Sequence, residues 1–157
     1  MAEINWKNKC WVTTIYLVRQ DGSVLLTWNK NLQTWIPVGG HIEPGETPEE
    51  ATTREVAEET GFEFEFLNAP TTADSGRLKI LKPQHIQIES VPHHGHHMNF
   101  VFVGKCLKWT DKSETDEQEQ LRWFSRQELE GMRGKMLDSV LDNSLSAIGA
   151  VHNSHTL

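Results

Sequence analysis

At 157 residues, with 37% hydrophobic and 24% charged side chains, the chain suits one globular domain, expected to span residues 1–157. A formal net charge of −7 without a Lys/Arg cluster argues against nucleic acid as a partner. No apolar run nears the roughly 18–20 residues that span a bilayer, the start carries Glu3, Lys7 and Lys9, and two cysteines make no disulfide framework, so a cytoplasmic protein without a membrane partner is expected.

Trp11–Arg19 is dense in β-branched and aromatic residues and is expected as a strand. Asp21-Gly22 is a turn dipeptide, after which Val24–Trp28 forms the second arm of a hairpin. Trp35–Val38 is a short apolar segment running into Gly39-Gly40. That pair is either a tight turn or backbone that can approach a ligand and present carbonyls to a metal. Thr47–Gly61 is the clearest helix: Thr47 caps it, Pro48 suits its first position, Glu50 completes a capping box and Gly61 ends it. Phe62–Leu67 alternates Phe and Glu, as a strand with one solvated face does.

Ile80–Val91 and Met98–Leu107 are expected as two further strands around a His-rich turn, His93–His97. Asp111–Glu119 is an acidic loop and Leu121–Phe124 a short strand. Ser125 and Glu128 make a second capping box, opening a helix over Arg126–Met132. Met136–Val151 carries a helical stripe of Leu137, Val140, Leu141, Leu145 and Ile148. Such a mixture predicts α/β or α+β layers.

The chemistry concentrates on the first helix. At about 100° per residue, Glu55, Glu58 and Glu59 fall within an arc of about 100°, with Val56, Thr60, Thr53 and Ala57 roughly opposite and free to pack on a sheet. Carboxylates at this spacing repel one another, and those in the last turn also oppose the helix dipole. A solvated acidic face is the plain reading. Divalent cations explain the cost better, since Mg²⁺ prefers oxygen ligands.

The surrounding segment, GHIEPGETPEEATTREVAEETGF over Gly40–Phe62, sets Gly40, five residues, Glu46, seven residues and Arg54-Glu55-Val56. One residue then precedes Glu58-Glu59, and one more precedes Gly61-Phe62. This matches the Nudix box at every defined position, so the chain resembles the Nudix hydrolases of the MutT-like kind. The resemblance implies the Nudix fold, a mixed β-sheet sandwiched between helices (an α/β/α sandwich). It also implies Mg²⁺-dependent hydrolysis of a phosphoanhydride in a nucleoside diphosphate-linked substrate, with Mn²⁺ as a substitute cofactor. A (deoxy)nucleoside triphosphate cut to monophosphate and pyrophosphate comes first, with ADP-ribose, nucleotide sugars and dinucleoside polyphosphates as alternatives. A non-catalytic nucleotide sensor is the alternative of another class.

By the same resemblance, Glu55, Glu58, Glu59 and the Gly39 carbonyl are metal ligands, while Arg54 and Glu46 bridge loop and helix and orient Glu55. The general base is Glu55 or a glutamate of the later acidic loop, where Glu119 is preferred to Glu117. An isopentenyl diphosphate isomerase shares the fold but needs a cysteine beside the site, and Cys10 and Cys106 are expected far from the box. Substrate contacts are sought at Trp28, Lys30, Gly40 and Asn99, with Trp35 a further aromatic that could stack on a base. Tryptophans at such positions are more often partly buried core. His93, His94, His96 and His97 read as a polar loop near the site mouth or as a transition-metal cluster, though without structural-zinc spacing. The partner is a small-molecule nucleotide, and a homodimer is left open.

Overall fold

A computed structural model describes residues 10–68, 80–110 and 120–154. Strand β1 (Cys10–Val18) organises an eight-stranded mixed sheet. It runs parallel to β7 (Gly95–Lys108) along its whole length, from Cys10 opposite His97 to Val18 opposite Lys105. Its other edge is divided. The first half pairs antiparallel with β4 (Val38–His41), Val12 facing His41 and Ile15 facing Val38, and the end pairs with β2 (Val24–Asn29). The β1–β2 hairpin turns at Gly22, whose φ of 81° suits glycine.

Strands β3 (Thr34–Ile36) and β8 (Leu121–Phe124) flank β2, while β5 (Glu63–Phe66) and β6 (His85–Val91) divide the outer edge of β7. Because side chains alternate along β1, Ile15 and Leu17 enter one core and Tyr16 and Val18 the other. Helix α1 (Pro48–Glu59) covers the first core. The short α2 (Arg126–Glu130) and the long α3 (Asp138–Ser154) cover the second. This is the layered α/β/α arrangement the sequence led us to expect. Among the described residues no helix is long and apolar enough to cross a membrane.

Several local expectations need correction. Gly39 and Gly40 lie inside β4, because their backbones pair with Thr14 and Thr13 of β1 rather than turning. β6 starts at His85, not Ile80. Its hairpin with β7 turns over Pro92–His94, with His93 at φ 66°, so His96 and His97 are strand residues. α2 stops at Glu130, and α3 begins at Asp138, leaving Leu137 exposed outside it. On α1 the buried side is Pro48, Ala51, Thr52 and Val56, whereas Thr53 and Ala57 are exposed. Val56 and Thr60 are buried as expected, and the rest of the buried face is rotated about the helix axis onto Ala51 and Thr52. The acidic loop Asp111–Glu119, with Glu117 and Glu119, lies outside the described residues.

Candidate active site

Helix α1 is capped at both ends by local hydrogen bonds. Thr47 Oγ1 accepts the Glu50 amide at 3.3 Å, and Glu50 Oε2 accepts the Thr47 amide at 2.8 Å, a complete capping box. At the other end Gly61 takes φ 67°, and its N–H donates back to Val56 O and Ala57 O. Two further ties fix the helix on the sheet. The Thr52 and Thr13 hydroxyls meet in the interior, and Glu49 Oε1 accepts the Leu81 amide at 3.0 Å.

Arg54 is the hub of the exposed side. Its Nε and Nη2 donate to the two Glu46 carboxylate oxygens at 2.6 and 2.9 Å, a bidentate fork. Nη1 reaches Glu55 Oε1 at 2.8 Å and Glu58 Oε2 at 3.4 Å, and Nη2 also donates to the His41 carbonyl at 3.0 Å. One guanidinium thus ties β4, the loop after it and the helix. The bond from Arg54, with help from the Glu43 amide, holds the Glu46 carboxyl down at about 2. The two carboxylates in turn push the Arg54 guanidinium above its ordinary value, so neither partner titrates near neutral pH.

The Glu55 carboxylate lies against the backbone of β4. A Cβ placed on Gly40 would run into the Glu55 carboxylate, so any side chain there would displace it. Glu59 Oε1 accepts the Gly39 amide at 3.4 Å. The Glu55 side chain keeps 15% of its surface and Glu58 keeps 61%. The cluster is therefore graded, with one carboxylate sheltered under the strand and another facing solvent. Carboxylate oxygens are the donors a hard divalent cation prefers.

The other candidates scatter. Trp28 is half-buried on β2 and meets Trp35 edge to face at 5.4 Å; Trp35 also packs on Phe124 and the α3-side core. Lys30 sits exposed in the turn after β2. Asn99 is only 2% exposed: its Oδ1 accepts from Thr14 Oγ1 at 3.2 Å, and its Nδ2 donates to Glu89 Oε1 at 2.8 Å. Cys106 is buried against the α1-side core, and burial pushes its thiol up to about 11. Cys10 departs from expectation. It lies beside His41, the second residue of the box segment, because β1 and β4 are neighbours.

Glu89 escaped the sequence reading. β6 alternates exposed Ile86 and Ile88 with half-buried Gln87 and Glu89, so its polar side faces inward, toward Thr14 and Asn99. The alternation was visible as HIQIES; which side faced in was not. His97, opposite Glu89 on the same side, is held below the ordinary imidazole value, first by burial and then by the nearby His41.

Comparison with known proteins bears on the family and the fold. A family model described as NUDIX domain matches residues 9–142. A NUDIX-family hydrolase from Clostridium perfringens superposes with a TM-score of 0.77 at 26% identity, covering 92% of this chain and 99% of that one. A NUDIX hydrolase from Nitrosomonas europaea shares the fold with a TM-score of 0.64 at 20% identity, over 90% of this chain and 89% of that one. A Bacillus subtilis strain 168 protein provisionally named 8-oxo-dGTP diphosphatase is 34% identical over 80 residues, 49% of this chain and 50% of its own. The chain thus spans about half the length of that curated relative.

Proposed function

The chain belongs to the NUDIX family, and on that footing we propose that it is a divalent-cation-dependent hydrolase of nucleotide phosphoanhydrides, cutting a (deoxy)nucleoside triphosphate to monophosphate and pyrophosphate. The observation that carries the reading is the Glu55 carboxylate held between Arg54 and the bare backbone of Gly40, with Glu58 and Glu59 on the same helix. An intact, oriented set of this kind favours an enzyme over a nucleotide sensor.

The residues fit Mg²⁺ as cofactor, with Mn²⁺ as a substitute. Glu55, Glu58, Glu59 and the Gly39 carbonyl are all hard oxygen donors, and Arg54 occupies only one oxygen of Glu55. These four would hold the cation. Bound there, it would neutralise polyphosphate oxygens and acidify the attacking water. Glu46 and Arg54 keep the loop and helix in register and orient Glu55. Glu55 or Glu119 takes the proton of that water. Gly40 lends its backbone to the substrate, while Trp28 and Lys30 contact base and phosphate from the end of β2.

The name of the Bacillus subtilis relative makes an oxidised purine triphosphate the first substrate to try. The protein, with Mg²⁺, is to be incubated with 8-oxo-dGTP, the ordinary triphosphates, ADP-ribose, nucleotide sugars and dinucleoside polyphosphates, and the products separated by chromatography. Monophosphate with pyrophosphate is expected from a triphosphate. Turnover of only ADP-ribose or a dinucleotide would move the substrate class, and no turnover of any would remove the hydrolase reading.

A further inference from the structure

We propose a second, softer metal site, built by Cys10, His41 and His97 and suited to a zinc-like dication. The sheet itself assembles it. Parallel pairing of β1 with β7 sets Cys10 directly opposite His97, and antiparallel pairing of β1 with β4 sets His41 opposite Val12, one pleat further on. Side chains two residues apart share a face, so all three project to the same side of three adjacent strands. Their ligand atoms (the Cys10 sulfur and one ring nitrogen from each histidine) lie within 4.8 Å of one another. Around a tetrahedral zinc such atoms stand about 3.3–3.8 Å apart, so small side-chain rotations close the site.

A second observation points to a ligand. His97 Nε2 is buried and has no hydrogen-bond partner among the described residues, an unusual state for an imidazole nitrogen. The His41 and His97 rings meet edge to face at 5.6 Å. A thiolate with two imidazoles selects zinc, cobalt or copper over magnesium, whereas the glutamates of α1 select the reverse. Three protein ligands also leave a fourth position for water or an oxygen of a bound molecule. The site is distinct from the carboxylate cluster, although the His41 carbonyl, held by Arg54, connects the two.

Cobalt tests this without reference to turnover. The full chain, in saturating Mg²⁺, is titrated with Co²⁺ and its absorption spectrum followed. One equivalent is expected to bind with thiolate-to-cobalt charge-transfer absorption. Cys10→Ser should abolish that band, and Cys106→Ser should leave it. His41→Ala and His97→Ala should each weaken Co²⁺ binding by about tenfold or more, since even outer-shell partners of a ligand cost that much. Glu58→Gln should leave the band unchanged, which separates this site from the proposed Mg²⁺ site. Circular dichroism establishes that each variant is folded. The proposal is overturned if the wild-type chain shows no such band, if Cys10→Ser retains it, or if it disappears with Glu58→Gln.

Discussion

Helices α1 and α3 cover opposite faces of one sheet, and they are held there by different means. α3 buries Val140, Leu141, Ser144, Ala147, Ile148 and Val151, an apolar stripe of the ordinary amphipathic kind. α1 buries Pro48, Ala51, Thr52 and Val56, of which only Val56 is a sizeable aliphatic side chain. Its remaining anchorage is polar: the capping box, the Thr13–Thr52 contact, the Leu81 amide on Glu49 and the Arg54 fork. Burial of apolar area acts in any ordinary solution, whereas hydrogen bonds and ion pairs depend on protonation and on neighbouring charge. Helix α3 is therefore held by apolar burial, and the conditional chemistry is mounted on the polar-anchored α1.

That division can be broken at either helix. The largest effect is expected from Glu58→Gln or Glu59→Gln, which should lower turnover about a thousandfold or more, several kcal/mol at the barrier. Because one of three like charges is removed, the thermal midpoint should hold or rise, as differential scanning calorimetry would show. A fall in both together would mean the two helices are not separable. On the other side, Leu141→Ala should cost about 2–5 kcal/mol in urea unfolding while leaving kcat per folded molecule unchanged. Gly40→Ala sharpens the contrast, because its Cβ would displace the Glu55 carboxylate. Turnover should fall up to about a hundredfold, as small misplacements of reacting groups do, with little change in unfolding. The mildest effect concerns acid. The Glu46 carboxyl sits at about 2 in the folded chain against an ordinary 4.5. Its stabilisation is therefore complete above about 4.5 and is lost as pH falls through about 2. Glu46→Gln should flatten the stability–pH curve across that window; an unchanged slope would detach Arg54 from any role in holding α1.

What the sequence disclosed follows the range of the forces involved. The ends of α1 were legible because Thr47, Glu50 and Gly61 act on backbone within a few residues. The box spacing disclosed the carboxylate cluster for the same reason. Of the two readings of Gly39-Gly40 the tight turn fails, because only pairing with a distant strand, β1, makes them strand. The rotation of α1 on the sheet turned on Ala51 and Thr52, and Thr52 meets Thr13 on a strand far back in the chain. Glu89 and the Cys10–His41–His97 group depend on register between distant strands, which no local pattern encodes.

Strand β6 has a further consequence, felt at the bench rather than in the reaction. Having turned Gln87 and Glu89 inward, it shows Ile86 and Ile88 to solvent, and among the described residues it pairs on one side only, with β7. An edge strand with an apolar, uncharged outer side is a template for another chain. Concentrated stocks should cloud from that edge, and Ile88→Lys should slow the rise in light scattering without altering turnover.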